Sequence, residues 1–183
     1  PVSYQGFTSA SRTPASVTTS SEFEIPVAEF YLGYRKTVLQ SNQYIAQINI
    51  PTAAVDRFHR FYKHSKRLED DISSVMGAFS FDGNRQQLNH ARVAYGGMAA
   101  IPLRVPVVEK LLVDSELTEE LISQACKLLA DTLAPMSDVR ASAEFRSQMA
   151  CEMLARALIE FGGGHMPRVD EITLSGNQEV TDV

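Results

Sequence analysis

Two runs, Ile72-Ser73-Ser74-Val75-Met76-Gly77-Ala78-Phe79-Ser80-Phe81 and Leu88-Asn89-His90-Ala91-Arg92-Val93-Ala94-Tyr95, decide the fold. Between them stands Asp82-Gly83, a pair suited to a hairpin turn. The spacing predicts two antiparallel strands, with Gly96-Gly97 ending or bending the second. On the N-terminal side, Phe58 to His64 reads as another strand. Tyr44 to Ile50 alternates, with Tyr44, Ala46, Ile48 and Ile50 on one face and Ile45, Gln47 and Asn49 on the other. That pattern predicts a half-buried strand, stopped by Pro51.

On the C-terminal side the period becomes helical. Pro106 suits the first position of a short helix carrying Val107, Val108, Leu111 and Leu112. Thr118 suits an N-cap, with Glu119 and Glu120 at the positive end of the helix dipole. The stripe behind it is Leu121, Ile122, Ala125, Leu128 and Leu129. A last helix carries Phe145, Met149, Met153, Leu154, Ala157, Leu158 and Phe161, and Gly162-Gly163-Gly164 stops it. Strands first and helices later give an α+β fold: a small antiparallel sheet of three to four strands, covered on one face by about three helices.

The flanks differ in character. Residues 1–23 hold ten Ser and Thr, with Pro1, Pro14 and Gly6, and read as an arm or the remnant of a preceding lobe. A short strand is expected near Ser16 to Thr19. Residues 24–161 form the domain, and 162–183 a polar, flexible tail. The chain starts at Pro1 without an initiator Met, which reads as processing, trimming or a piece of something longer.

Composition narrows the function classes. At 183 residues and 44% hydrophobic, the chain can bury a real core. A net charge of −5 argues against a nucleic-acid footprint. No apolar run approaches the roughly 20 residues that span a bilayer. Cys126 and Cys151 lie far apart inside helical patterns and read as two reduced thiols, which points to the cytoplasm.

No self-contained active site emerges. His59, His64, His90 and His165 are scattered, and His59 and His64 fall on opposite faces of one strand. Asp70 and Asp71 are acid/base candidates by type, but Lys66 and Arg67 beside them favour a local ion-pair cluster. The basic group Lys63, His64, Lys66 and Arg67 reads as a solvated face that can meet an anion. Gly162-Gly163-Gly164 reads as a helix stop, not a phosphate cradle.

Four blocks, in order, resemble one family. They are Phe30-Tyr31-Leu32-Gly33-Tyr34-Arg35-Lys36-Thr37, Tyr62 to Ser73 (YKHSKRLEDDIS), Val93 to Ala100 (VAYGGMAA) and Pro135 to Arg146 (PMSDVRASAEFR). Together they resemble the C-terminal lobe of the FAD-binding subunit of bacterial xanthine dehydrogenases, in the molybdenum hydroxylase family. That lobe is similar to the C-terminal domain of CO dehydrogenase flavoproteins. The resemblance covers about residues 24–161 and favours the xanthine dehydrogenase branch through the Arg-Lys-Thr and Ser-Lys-Arg…Asp-Asp-Ile wording.

The resemblance implies a flavin that passes electrons from iron–sulfur clusters to NAD+ while a molybdopterin centre oxidises hypoxanthine or xanthine. It implies a molybdopterin-binding subunit and an iron–sulfur (2Fe-2S) domain as partners, and two FAD contacts, Ile45 and Lys63. Ile45 is the apolar exception on a polar strand face and would pack on the isoalloxazine. Lys63 would place positive charge near the ring. An Asp–Arg cluster around Asp71 would fix the loop that presents Lys63.

The family's glycine-rich pyrophosphate loops have no counterpart in residues 1–23. The chain alone is therefore expected to bind FAD weakly or not at all and to be inactive by itself. It reads either as part of a larger FAD subunit or as a stand-alone interaction or assembly module. Apolar surface left where other lobes dock would favour a homodimer.

Overall fold

The computed structural model describes residues 3–8, 22–50, 56–67 and 70–165. Nine strands and four helices are present among them: β1 (Ser3–Thr8), β2 (Glu22–Pro26), α1 (Val27–Phe30), β3 (Tyr31–Gly33), β4 (Lys36–Thr37), β5 (Gln43–Asn49), β6 (Phe58–His64), β7 (Val75–Gly83), β8 (Leu88–Gly96), β9 (Leu103–Arg104), α2 (Pro106–Leu112), α3 (Glu119–Thr132) and α4 (Ala143–Phe161). The fold is α+β, as expected.

The β7–β8 hairpin is its centre. Val75, Gly77, Phe79 and Phe81 of β7 and Ala91, Val93 and Tyr95 of β8 are buried, every second residue, as a one-sided sheet requires. Leu88 is also buried although it is out of phase with Ala91. A register shift between Asp82 and Gly83 inserts the extra residue that restores its inward direction.

The turn itself differs from the expected two-residue Asp-Gly loop. Gly83 closes β7 at φ +109, where an added Cβ would lie 2.3 Å from the Gln87 carbonyl. The reversal is made by Asn84 and Gln87, whose backbones exchange hydrogen bonds of 3.0 and 3.2 Å. The Asn84 side chain also accepts from the Gln86 and Gln87 N–H groups.

The main sheet has the order β6-β7-β8-β9, all antiparallel. Helices α2, α3 and α4 supply the rest of its core: Val108, Leu112, Leu121, Ala125, Leu129, Ala150, Met153, Leu154, Ala157 and Leu158. The Tyr95 hydroxyl donates to the Ala150 carbonyl at 2.7 Å, tying β8 to α4. Thr118 caps α3 by accepting from Leu121 N–H at 3.1 Å, and Ser142 caps α4 through Phe145 N–H. The N–H groups of Gly162, Gly163 and Gly164 all donate to carbonyls at the end of α4. They are a helix stop, as read.

Three expectations are corrected. Val107 faces solvent; the inward residues of α2 are Val108, Glu109 and Leu112. The strand expected from Ile72 begins at Val75, because the Asp71 carboxylate takes the Ile72 N–H and holds that residue in a loop. The alternating Tyr44–Ile50 strand is not half-buried: Tyr44 is 56%, Ile48 54% and Ile50 64% exposed.

That strand, β5, does not join the main sheet. It pairs with β1, which pairs with β2, in a separate three-stranded sheet. Thus Ser3–Thr8, inside the segment read as an arm, is a strand. The strand expected near Ser16 to Thr19 and the tail beyond residue 165 lie outside the described residues. β3 and β4 form a two-stranded hairpin, with Arg35 at φ 57 in its turn.

Candidate functional site

β6 is an edge strand, and its two faces have different duties. Phe58, Arg60, Tyr62 and His64 turn toward the helices. Phe58 meets Phe161 at 5.4 Å between ring centroids, and His64 meets Phe145 at 5.0 Å. Arg60 Nε donates to Glu160 at 2.6 Å, and the Arg156 guanidinium lies 5.5 Å over the Tyr62 ring. The alternate residues His59, Phe61 and Lys63 therefore point to the opposite, helix-free face.

The register lays that open face out in rows: Lys63–Met76–Gly96, Phe61–Ala78–Ala94 and His59–Ser80–Arg92. Its floor is made of small side chains. Its β6 edge carries Phe61, 65% exposed, and the exposed Lys63; Met76, 42% exposed, stands beside them. The result is a face with small side chains along its middle, Lys63 at one end, and His59 and Arg92 at the other.

Beyond the Lys63 end of β6, three loops are tied together by one buried side chain. Arg146, in the first turns of α4, donates to the Gly97 carbonyl at 2.8 Å, to Asp138 Oδ1 at 2.7 Å and to the Ser74 carbonyl. Asp138 in turn accepts from the N–H groups of Arg140 and Ala141. These backbone bonds and the Arg146 guanidinium pull its carboxyl down to about 2. Lys66 Nζ reaches the Val139 carbonyl at 2.6 Å from the preceding loop. Gly97 sits at φ +81 with room for no Cβ, since Ser74 O would lie 2.5 Å away. Three of the four sequence blocks quoted above, Tyr62 to Ser73 with Ser74 just beyond it, Val93 to Ala100 and Pro135 to Arg146, thus converge on Arg146.

Comparison with known proteins fits this convergence. Residues 60–161 match the model of the CO dehydrogenase flavoprotein C-terminal domain, more than half of the chain. The chain belongs to this family. Xanthine dehydrogenase 2 of Arabidopsis thaliana is 30% identical over 130 residues, 68% of this chain and 10% of that protein. The carbon monoxide dehydrogenase medium chain of Hydrogenophaga pseudoflava is 26% identical over 73% of this chain and 46% of that one. A solved CO dehydrogenase from the same organism, lacking the Mo-pyranopterin moiety of its cofactor, superposes with a TM-score of 0.74 at 22% identity. It covers 88% of this chain and 53% of that chain, and shows the shared fold. The chain thus spans about a tenth of the plant xanthine dehydrogenase and about half of the flavoprotein chain.

The two residues singled out as flavin contacts lie in different sheets, Lys63 within the matched residues 60–161 and Ile45 ahead of them. Lys63 is on the open face of β6. Ile45 is on β5, opposite Gly6 of β1, and is 40% exposed. Asp71 is structural, as preferred: it accepts from the Arg67 N–H at 3.0 Å, from the Arg67 guanidinium at 3.3 Å and from the Ile72 N–H. It thereby closes the loop directly after β6. The four histidines make no ligand set, and no group of three His, Cys, Asp or Glu able to hold a metal occurs among the described residues. No helix among them is long and apolar enough to cross a membrane.

Two positioning residues escaped the sequence reading. One is Arg146, whose acceptors are mostly backbone carbonyls and leave no mark in the sequence. The other is Glu109 on α2. It is buried, ion-paired to Arg104, and accepts the Val93 N–H at 3.1 Å. β9 has only two residues, so a side chain completes the hydrogen bonding of β8 there. A charged residue within an otherwise apolar helical stripe was the available signal.

Proposed function

We propose that this domain is the C-terminal lobe of the FAD subunit of a xanthine dehydrogenase and that its helix-free sheet face closes over the flavin. One observation carries the reading: a floor of Ala78, Ala94, Ser80 and Gly96, edged by exposed Phe61 and Met76, with Lys63 at one end and Arg92 at the other. Small side chains let a planar ring lie close, and an exposed aromatic gives it an apolar rim. FAD, when bound, would take electrons from a partner iron–sulfur domain and deliver them to NAD+ while a molybdopterin-binding subunit oxidises hypoxanthine or xanthine to urate.

The chain's own part is positional and electrostatic. The Lys63 ammonium stabilises negative charge on the reduced ring. Ile45 adds an apolar contact from the other sheet. The Asp71 and Arg146 networks both hold loops at the Lys63 end of β6. The residues fit the ring better than the pyrophosphate: the N–H groups of Gly162, Gly163 and Gly164 are committed to α4. Other lobes would supply the phosphate site, and the complex would work in the cytoplasm, in keeping with two free thiols.

The test is a flavin-fluorescence titration of the full chain, alone and with a separately produced lobe carrying the glycine-rich segments. The chain alone should fail to retain FAD on gel filtration, and the mixture should retain it. In the mixture, Lys63→Ala should weaken FAD about tenfold, equivalent to about 1.4 kcal/mol, whereas Lys127→Ala on α3 should not. Tight stoichiometric binding by the chain alone would overturn the dependence on other lobes. Unchanged affinity in Lys63→Ala would remove that residue from the site. No retention in the mixture would leave an interaction module instead.

A further inference from the structure

The two cysteines, 25 positions apart, meet between α3 and α4. Cys126 Sγ lies 3.5 Å from the Cys151 carbonyl, and Cys151 Sγ lies 3.3 Å from the Cys126 carbonyl. Each thiol therefore donates to the other residue's backbone carbonyl. Neighbouring Ala125 and Ala150 are fully buried, and such small residues let helices approach closely. Both residues are partly exposed rather than sealed in the core. No other described side chain in the flavin reading uses them.

We propose that Cys126 and Cys151 form a dithiol modification site that takes a small-molecule disulfide and closes to a reversible interhelical cross-link. The reciprocal contacts hold each sulfur against the other residue's carbonyl, so the two short side chains meet across closely approaching backbones, as a cross-link requires. The step balances as ordinary thiol–disulfide exchange. The Cys151 thiolate attacks one sulfur of the reagent, a mixed disulfide forms, and one reagent thiolate leaves. Cys126 then attacks the protein sulfur of the mixed disulfide, and the second reagent thiol leaves. The protein loses two electrons and two protons, and the reagent disulfide is reduced to two thiols.

The two contacts are reciprocal, so the exchange can also open at Cys126 and close at Cys151. The ring so closed contains the whole 133–142 loop with Asp138, and it restrains the unfolded chain.

The experiment exposes the full chain to excess oxidised glutathione and follows intact mass and iodoacetamide labelling. The wild-type chain should end lighter by two hydrogens, with neither thiol open to alkylation and one peptide pair linked through Cys126 and Cys151. Its Tm should rise and return on reduction. Cys126→Ser should stop with one glutathione attached at Cys151. A wild-type chain that accumulates glutathione without the cross-link, or that keeps both cysteines alkylatable, would overturn the proposal.

Discussion

Arg146 satisfies acceptors drawn from three loops with a single guanidinium. Replacing it with Met leaves the Ser74 carbonyl, at a buried residue, without its charged donor, and should cost about 3 kcal/mol, since bonds to charged groups are worth about 1.5–3 kcal/mol each. Urea unfolding of Arg146→Met measures this, and Arg146→Lys should rescue little, because one ammonium cannot span the fork. A Met variant as stable as the parent would show that the three loops hold themselves. Asp138, on the same network, has a pH signature. Its carboxyl is lowered in the folded state to about 2, whereas an unfolded Asp titrates at about 3.9. Its contribution is therefore fully present above about pH 4 and is lost as the pH falls through about 2. The stability difference between the parent and Asp138→Asn should be constant above about pH 4 and shrink between pH 4 and 2. Equal acid limbs in both proteins would deny the network that role.

At the scale of elements, the sequence is legible where the signal is local. β6, β8, α3 and the end of α4 follow from short-range cues: a two-residue period, a Thr before two Glu, three glycines. The Thr118 cap is one such cue. Thr118→Ala should lower stability by about 1 kcal/mol, seen as an earlier thermal midpoint. An unchanged midpoint would mean that α3 is held by packing alone. Legibility fails where the cause is distant or short. β9 has two residues and no period. β7 starts late because a carboxylate one residue away takes the Ile72 N–H. Arg146 finds Ser74 across 72 positions. The strand containing Ile45 is present, yet it pairs with β1 rather than the hairpin, and a register shift at Ala46 breaks its alternation, so Ile45 shares a face with Ile48 instead of with Gln47 and Asn49. An alternating pattern states which residues share a face and is silent on what covers it. The open face of β6 is different. Lys63 can be placed there from the two-residue period, but the floor of Ala and Gly beneath it depends on the register of β7 and β8.

Across the whole molecule, burial is unevenly shared. Among the described residues, every buried apolar one except Phe30 lies between Val75 and Leu158, in β7, β8, the three longer helices and the loops between them. β7 is paired on both sides and covered by α4 on one face. Among the described residues β5, in the separate sheet, pairs with β1 alone and has Tyr44, Ile45 and Ile48 exposed on its two faces. Free energies of opening should follow this contrast, because exchange from a strand with little buried surface needs only local unfolding. Native-state hydrogen exchange on the full chain should show Phe79, Val93 and Leu154 amides exchanging last, with a denaturant dependence matching global unfolding. Ile45, Gln47 and Asn49 should exchange faster and with little denaturant dependence. If β5 amides were as protected as Phe79 in the isolated chain, the two sheets would unfold as one unit, and the exposed face of β5 would need cover from a second copy. Protection of β5 that appears only on adding the lobe with the glycine-rich segments would instead mark that face as a docking surface. Ile45 would then be ordered by the same assembly that brings the flavin.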